Sequence, residues 1–520
     1  MARSAGCACR PPHAPGREPS SVSMKSTGGR PQTSSILKMA APLVLSFQMR
    51  SLFTFVDLAF AATLGDAAIA AVGGLSFPYE ILMAACWVGV STGVTSNLSQ
   101  AMGKRQGQRI DQVLSVSRLV VWSLVPLFTA IALYIYFGAD HMGLDPGLAR
   151  QFSVYGGVLI GGSAFTAFWS IIPDSIVKAH HDTKSTMWAG IWSNLINVGL
   201  NTIFLFVFHW GVFGIAFSTV LGRFGGLVYA LRKAAGHEAE RKASGLDTDP
   251  TLDPHPFRSL MGLAVPSTLT FGLMAVETAL VNWLLARRPG ATEAIAAYGI
   301  YSRVLQFAAM PIIAGAVAVL PFVARRFGEG DIAAIRRGVR DIIAAATVYC
   351  IGMVTPAILF GGPRLAHALA ESPRTADLGT VALAFCPFAC LAMIPFALCR
   401  PAFEGLQRGR PGLTMAAVRY VLLTIPCALA GMSTAQALGR PELYGLLGGL
   451  IVSSSIASIV FLIWLRRSLR HLELEVSRPE KTASDPAAPA PSRPMAEPGR
   501  ERCAAPAGVP RGAGPGDPSI

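Results

Sequence analysis

Charged side chains are too scarce in this sequence to coat a soluble protein of its size. Asp, Glu, Lys and Arg make up 14% of 520 residues, where a soluble chain carries about a quarter. Metal-ribbon cysteine spacing is missing too. The nine cysteines fall in the tails (Cys7, Cys9, Cys503) or inside apolar stretches (Cys86, Cys350, Cys386, Cys390, Cys399, Cys427). That pattern excludes a disulfide framework and leaves small buried hydrophobes, Cys386 and Cys390 included. No GxxxxGK(S/T) loop occurs, so ATP hydrolysis is not expected. The net charge of +14 comes without an aromatic-interleaved basic domain, which argues against a nucleic-acid partner. Residues 1–33 lack the apolar run and cleavage site of a signal peptide. Met24 is a usable start within them.

What is abundant is apolar length. From Ile36 to Leu465, stretches longer than the roughly 18 residues needed for a spanning helix follow one another. They divide into twelve, so the expected fold is an all-α membrane protein with the lipid bilayer as its surroundings. Residues 1–33 and 473–520, rich in Pro, Gly, Ala and Ser, read as disordered tails. Basic residues crowd the links after even-numbered segments: Lys104, Arg105 and Arg109; Lys178 and Lys184; Arg232, Lys233, Arg241 and Lys242; Arg325, Arg326, Arg336 and Arg337; Arg408 and Arg410; Arg466, Arg467 and Arg470. Links after segments one, five and eleven are nearly free of them. By the positive-inside rule both termini face the cytoplasm of a cell-membrane protein. Arg287 and Arg288 on the other side are an exception, partly offset by Glu293.

The chain also repeats itself. "AIAAVGG" at 68–74 returns as "AIAAYGI" at 294–300, Pro42 as Pro266, and Gly103 as Gly328. "DTKSTM" at 182–187 returns as "GRPGLTM" at 409–415, all at offsets of 224 to 228 residues. Two pseudo-symmetric six-helix lobes are expected, at 34–234 and 258–472, joined by a cytoplasmic linker at 235–257. Paired halves of this kind can rock about a central cavity, the architecture of a transporter.

One carboxylate stands inside the first apolar run, Asp57 in "FTFVDLAFAATLGD". Intramembrane acids are costly and mark function by default, the bland alternative here being a static pair with Arg50. Pro42, upstream on the same segment, removes a helix hydrogen bond and offers either a bending point or a fixed kink. Asn197 and Asn201 are four apart and share a helix face; with Thr219 they read as interhelical glue or as polar partners for Asp57. Glu277 is the corresponding acid of the second half, lining a cavity or pairing with Arg303. Glu80 has no ready explanation. His180, His181 and Asp182 resemble a metal cluster but read better as polar turn residues; no metal and no cofactor is expected.

These landmarks together resemble the multidrug and toxic compound extrusion (MATE) transporters. The resemblance is carried by Pro42 and Asp57 with "LGDAAIAAVG", "GVTSNLSQAMGKRQ", "AHHDTKSTM", "NVGLN", "AAYGIYSRVLQFAAMPI" and "FEGLQRGRPGLTM". It covers about residues 35–470, and the spacing is most similar to the branch named for the DNA-damage-inducible F protein. It implies a monomeric, non-enzymatic exporter of amphipathic, often cationic drugs or metabolites, driven by inward protons or sodium ions. It further implies a cation site of Asp57, Asn197, Asn201 and Thr219. In some relatives the Asn201 position is acidic; the missing carboxylate tilts the expectation toward protons. The alternative in the same superfamily is a lipid-linked oligosaccharide flippase, which a cationic cavity of Arg50, Arg303 and Arg400 would suit. A lipid-modifying membrane enzyme would need an interfacial His, Asp or Glu cluster beyond the His180 pair.

Overall fold

The computed structural model describes residues 33–245, 249–287, 290–370 and 372–477. Side chains at 33–35, 50–55, 58, 476 and 477 fall outside that description. Residues 1–32 with Met24, residues 478–520, the Arg50 side chain and Arg288 therefore lie outside the described residues, whereas 473–477, read as the start of the disordered C-terminal tail, continue the last helix.

Every regular element described is helical. In chain order they are α1 (Thr33–Ala62), α2 (Asp66–Gly103), α3 (Gly107–His141), α4 (Pro146–Ala179), α5 (Thr183–Val207), α6 (Gly211–Ser244) and α7 (Pro256–Ala286). Then follow α8 (Ala291–Gly328), α9 (Ile332–Leu369), α10 (Pro373–Ala384), α11 (Cys386–Gly405), α12 (Arg410–Ala437) and α13 (Glu442–Ser477). Eleven of them, α2–α9 and α11–α13, are long and apolar enough to cross a membrane. The thirty-residue α1, about 45 Å at 1.5 Å per residue, completes the expected twelve by length. Short α10 and α11 together make the tenth segment, broken at Phe385, just before Pro387, whose ring disfavours an unbroken helix.

Large apolar side chains on these helices face outward as well as inward. Phe360 is 81% exposed and Phe137 70%, a surface that suits hydrocarbon rather than water. Four helices contain a π-helical turn: Ala70–Leu75 in α2, Ile203–Val207 in α5, Cys350–Val354 in α9 and Val418–Leu423 in α12. Such turns re-aim the side chains that follow and recur at functional sites.

The basic turns converge on one end. His180 and His237 stack at 4.9 Å, joining the α4–α5 turn to the end of α6. The backbone N–H of Asp249 donates to Arg105, tying the α6–α7 segment to the α2–α3 turn. Arg336 and Glu473 link the start of α9 to the end of α13. Helix α6 runs past residue 234 to Ser244, so part of the segment read as a linker is helical. Its sequence "RKAAGHEAERKAS" is rich in helix formers and places Glu238 four before Lys242. Lys178, counted among the turn cations, is instead buried on α4 and paired with Asp174 at 2.5 Å.

At that same end the two halves meet backbone to backbone. A Cβ added at Gly103 would stand 3.1 Å from the Gly328 Cα, and one at Gly328 would collide with the Gln100 carbonyl oxygen. Only glycine permits α2 and α8 to approach this closely. Gly328→Val should disfavour this closed seam by about 1–3 kcal/mol, roughly 5- to 150-fold in population. A buried reporter, Ser96→Cys in a background without reactive cysteines, would read the change. Its maleimide labelling should rise at least about fivefold with the valine; unchanged labelling would mean the glycine pair does not hold the halves together.

The α4–α5 turn yields a second expectation. Asp182 caps α5, accepting from the Ser185 N–H at 3.2 Å and the Ser185 hydroxyl at 2.6 Å, and it meets His237 Nε2 at 3.0 Å. Burial pushes its carboxyl up, but the hydrogen bonds from Ser185 and His237 outweigh burial and hold it below its ordinary value of 3.8. The folded form therefore favours the carboxylate. Its contribution is complete above pH 3.8 and disappears as pH falls through the lower folded value. Asp182→Ala should cost about 1 kcal/mol at neutral pH, with the gap to wild type closing in acid. Melting curves across pH check this, and a gap that widens in acid would refute it.

Candidate functional site

The candidate site is built where α1 crosses α5 and α5 lies against α6. Close approach of α5 and α6 depends on Gly222, where a Cβ would stand 2.5 Å from the Ser193 carbonyl oxygen and 2.9 Å from the Asn197 Cβ. With the backbones this near, Asn197 reaches across and its Nδ2 donates to Thr219 Oγ1 at 3.0 Å. Thr219 passes its own proton to the Ile215 carbonyl oxygen at 2.9 Å.

One turn along α5, Asn201 is fully buried. Its Nδ2 donates to Asp57 Oδ1 at 2.7 Å and stands 3.5 Å from Asn197 Oδ1. Its Oδ1 accepts from the Ser218 hydroxyl. Four residues singled out from the sequence, Asp57, Asn197, Asn201 and Thr219, thus form one chain of hydrogen bonds across three helices. Asp57 is its terminal acceptor, half-buried on α1.

Three further groups belong to this neighbourhood. Ser218 orients the Asn201 amide, so that its NH2 and not its oxygen faces Asp57. Arg223 on α6 and Glu80 on α2 are the charged neighbours that act on Asp57. Arg223 is itself fastened to α4 by a hydrogen bond to the Ser163 hydroxyl. Glu80, which the sequence left unexplained, thereby finds a place beside this site. Arg223 carried a signal of its own: it is a lone cation in an apolar segment, four residues after Thr219, and buried charges in membranes mark function as much as acids do.

Glu277 stands apart from this cluster. Its Oε1 accepts from Thr424 Oγ1 at 2.9 Å, and Arg419 is its charged neighbour rather than Arg303. The Arg419 guanidinium lies 4.8 Å from the ring centres of both Phe396 and Tyr420. Thr424 directly follows the π-helical turn of α12, so Glu277 and Thr424 pair the seventh and eleventh segments as Asp57 and Asn201 pair the first and fifth. Pro42 sits inside a continuous α1. Among the described residues no group of three or more His, Cys, Asp or Glu side chains is arranged to hold a metal ion.

Of the arginines that a flippase cavity would use, Arg400 is neutralised. Its Nη1 meets Glu404 Oε1 and the Ser267 hydroxyl, each at 3.0 Å, and its guanidinium lies 5.1 Å from the centre of the Phe271 ring. Arg303 is exposed.

Comparison with known proteins places these residues in context. The MatE family model matches twice, at residues 42–203 and 266–429. The FAD transporter of Shewanella oneidensis is 21% identical over 410 residues, 76% of this chain and 87% of that protein. "Probable multidrug resistance protein YoeA" of Bacillus subtilis is 24% identical over 315 residues, 58% of this chain and 65% of that one. The chain thus spans less than two thirds of YoeA, and 44% of the "Uncharacterized transporter YisQ" of the same organism. Among solved structures, an outward-facing multidrug resistance MATE transporter of the MOP superfamily superposes with a TM-score of 0.73 at 20% identity. That superposition covers 85% of this chain and 96% of the other. A MOP superfamily transporter from Pyrococcus furiosus, described as having a binding pocket of reversed polarity, gives the same values.

Proposed function

Because this chain belongs to the MatE family of membrane transporters, we propose that it is a secondary-active multidrug exporter coupled to an inward cation. It is a multi-pass membrane protein, and its family handles small molecules rather than catalysing reactions. The coupling ion, the site residues, placement in the cell membrane with both termini cytoplasmic, and a monomeric state belong to this proposal. The relatives named as multidrug resistance proteins support the substrate class.

The observation that carries the reading is the Asn201–Asp57 hydrogen bond at 2.7 Å between α5 and α1. It sets an ionisable group at the end of a neutral donor chain. As a carboxylate Asp57 accepts from Asn201; as a neutral acid it needs less polar company, and α1 is free to repack, with Pro42 as the bending point. Protons suit this arrangement better than sodium. Asn201 turns N–H donors rather than oxygens toward the carboxylate, whereas a sodium ion would need oxygens.

Proteoliposomes loaded with a lipophilic fluorescent cation test the proposal. Export should follow an imposed proton gradient and vanish when that gradient is collapsed. Export that follows only a sodium gradient would keep the exporter and change the ion. Release indifferent to both gradients would refute the secondary-active reading.

A further inference from the structure

Where α5 begins, Asp182 closes the helix with its own carboxylate. Where its counterpart α12 begins, no side chain does so. The residue there is Gly409, and a Cβ on it would stand 2.5 Å from the Gly262 carbonyl oxygen and 3.2 Å from the Leu263 Cα. Helix α7 occupies the space that a capping side chain would need.

Around this start opens a cleft of about 630 Å³, whose lining includes Lys104, Arg109, Arg258, Arg408 and Arg410. The five cations come from the α2–α3 turn (Lys104), the first turns of α3 (Arg109), α7 (Arg258) and α12 (Arg410), and the α11–α12 turn (Arg408). Two are partly committed. Arg109 Nη2 is 3.6 Å from Asp253 Oδ2, and its Nη1 donates to Gln106; Lys104 has Asp249 as a charged neighbour. Arg258, Arg408 and Arg410 are exposed, and no ion pair is found for them among the described residues. Like charges gathered in one concavity repel, and an anion between them reverses the sign of that energy.

We propose that this cleft is a phosphate-binding site. Guanidinium forks match phosphate oxygens in pairs, and a helix start adds unsatisfied N–H groups and positive potential. The phosphate comes either from an anionic lipid headgroup, which basic pockets between membrane helices bind, or from a free phosphate in solution. Lys104 and Arg109 belong to the first six helices, Arg258, Arg408 and Arg410 to the rest. A bound phosphate therefore bridges the two halves at the end where Gly103 meets Gly328. This site stands on its own geometry and does not need the export reading.

The test uses the full chain in a neutral detergent, comparing wild type with Arg408→Gln/Arg410→Gln and, separately, Arg258→Gln. Arg466→Gln/Arg467→Gln serves as a control that removes charge outside the cleft. Melting temperatures are read in chloride, in inorganic phosphate at matched ionic strength, and in micelles doped with phosphatidylglycerol or with uncharged diacylglycerol. Phosphate or phosphatidylglycerol should stabilise wild type and the control. The concentration giving half the effect should rise by about tenfold or more in the cleft variants. Without phosphate the cleft variants should be at least as stable as wild type, because they remove repulsion; a purely structural role would make them weaker. Saturation by inorganic phosphate alone identifies the free anion as the source, and a response to phosphatidylglycerol alone identifies the headgroup. Two results would overturn the proposal: equal responses in wild type and cleft variants, or no response of wild type beyond that to chloride. Should the double variant not fold, Arg258→Gln decides between the same outcomes.

Discussion

Asp57→Asn should abolish gradient-driven export while leaving the folded protein intact. The substitution keeps the size of the side chain and an oxygen able to accept from Asn201, so the bond to α5 survives in form. Replacing a charged acceptor by a neutral one should change stability by no more than about 1.5 kcal/mol. What disappears is the ability to take up and release a proton. Without it the site has one electrostatic state, and a gradient can no longer bias one arrangement of α1 over another. Efflux should fall to the passive leak of the liposomes, and the melting temperature should stay within a few degrees of wild type. Glu277→Gln is the matched comparison. It removes an acid of similar burial that is engaged with Thr424 and Arg419, away from the Asn201 chain, so the coupled component should persist. A collapsed melting temperature in Asp57→Asn would make the carboxylate structural, and wild-type export would move the coupling elsewhere, with Glu277 first.

The largest stability effect is expected at Arg400. Glu404 is 3% exposed, and its Oε1 receives Arg400 Nη1 at 3.0 Å. Removing one partner of a buried pair leaves the other charge without compensation, which costs about 3–5 kcal/mol. Arg400→Met should therefore destabilise the protein by that amount. It also frees the Ser267 hydroxyl, which Arg400 holds on α7. Adding Glu404→Gln should recover most of the loss, because the orphaned charge goes with it. The pair lies at the junction of the halves: Ser96 of α2 donates to the Glu404 carbonyl oxygen at 2.7 Å, and Gln407 donates to Ser96 at 2.8 Å. Denaturant unfolding of wild type and the two variants measures the loss and its recovery. Equal losses in the single and double variants would mean that packing, not charge, dominates there.

Much of the architecture was legible because bilayers impose it. Apolar runs of spanning length give the helix count, and matched landmarks at a common offset give the internal repeat. Asp57, Asn197, Asn201 and Thr219 could be gathered because residue type and helix spacing signal them, and family resemblance supplied which helices meet. Ser218 and Arg223 were missed, although the one adjoins Thr219 and the other is a solitary, half-buried cation in an apolar segment. Periodicity tells which residues share a face but not which helix that face meets. Glu277 shows the same limit: its partner is Thr424 on α12, set by a π-helical turn that leaves no mark in hydropathy. The Arg400–Glu404 pair follows an i, i+4 spacing visible in the sequence, yet its burial against α7 and α2 arises only from packing. Gly103 and Gly328 were recognised as twins but not as contacts, since a repeat relates positions without bringing them together. The continuation of α6 was hidden by its charge, which reads as linker until helix propensity is weighed against it.

The central claim is that Asp57 exchanges a proton against exported substrate, and substrate-driven proton movement tests it most directly. Proteoliposomes holding a pH-sensitive dye, with no pH or sodium gradient imposed, are given an outward or inward gradient of a lipophilic cation alone. Wild type should move protons opposite to the substrate, with a reversal when the substrate gradient is reversed, and Asp57→Asn should move none. Substrate passing down its gradient through wild type with no accompanying proton movement would contradict the account.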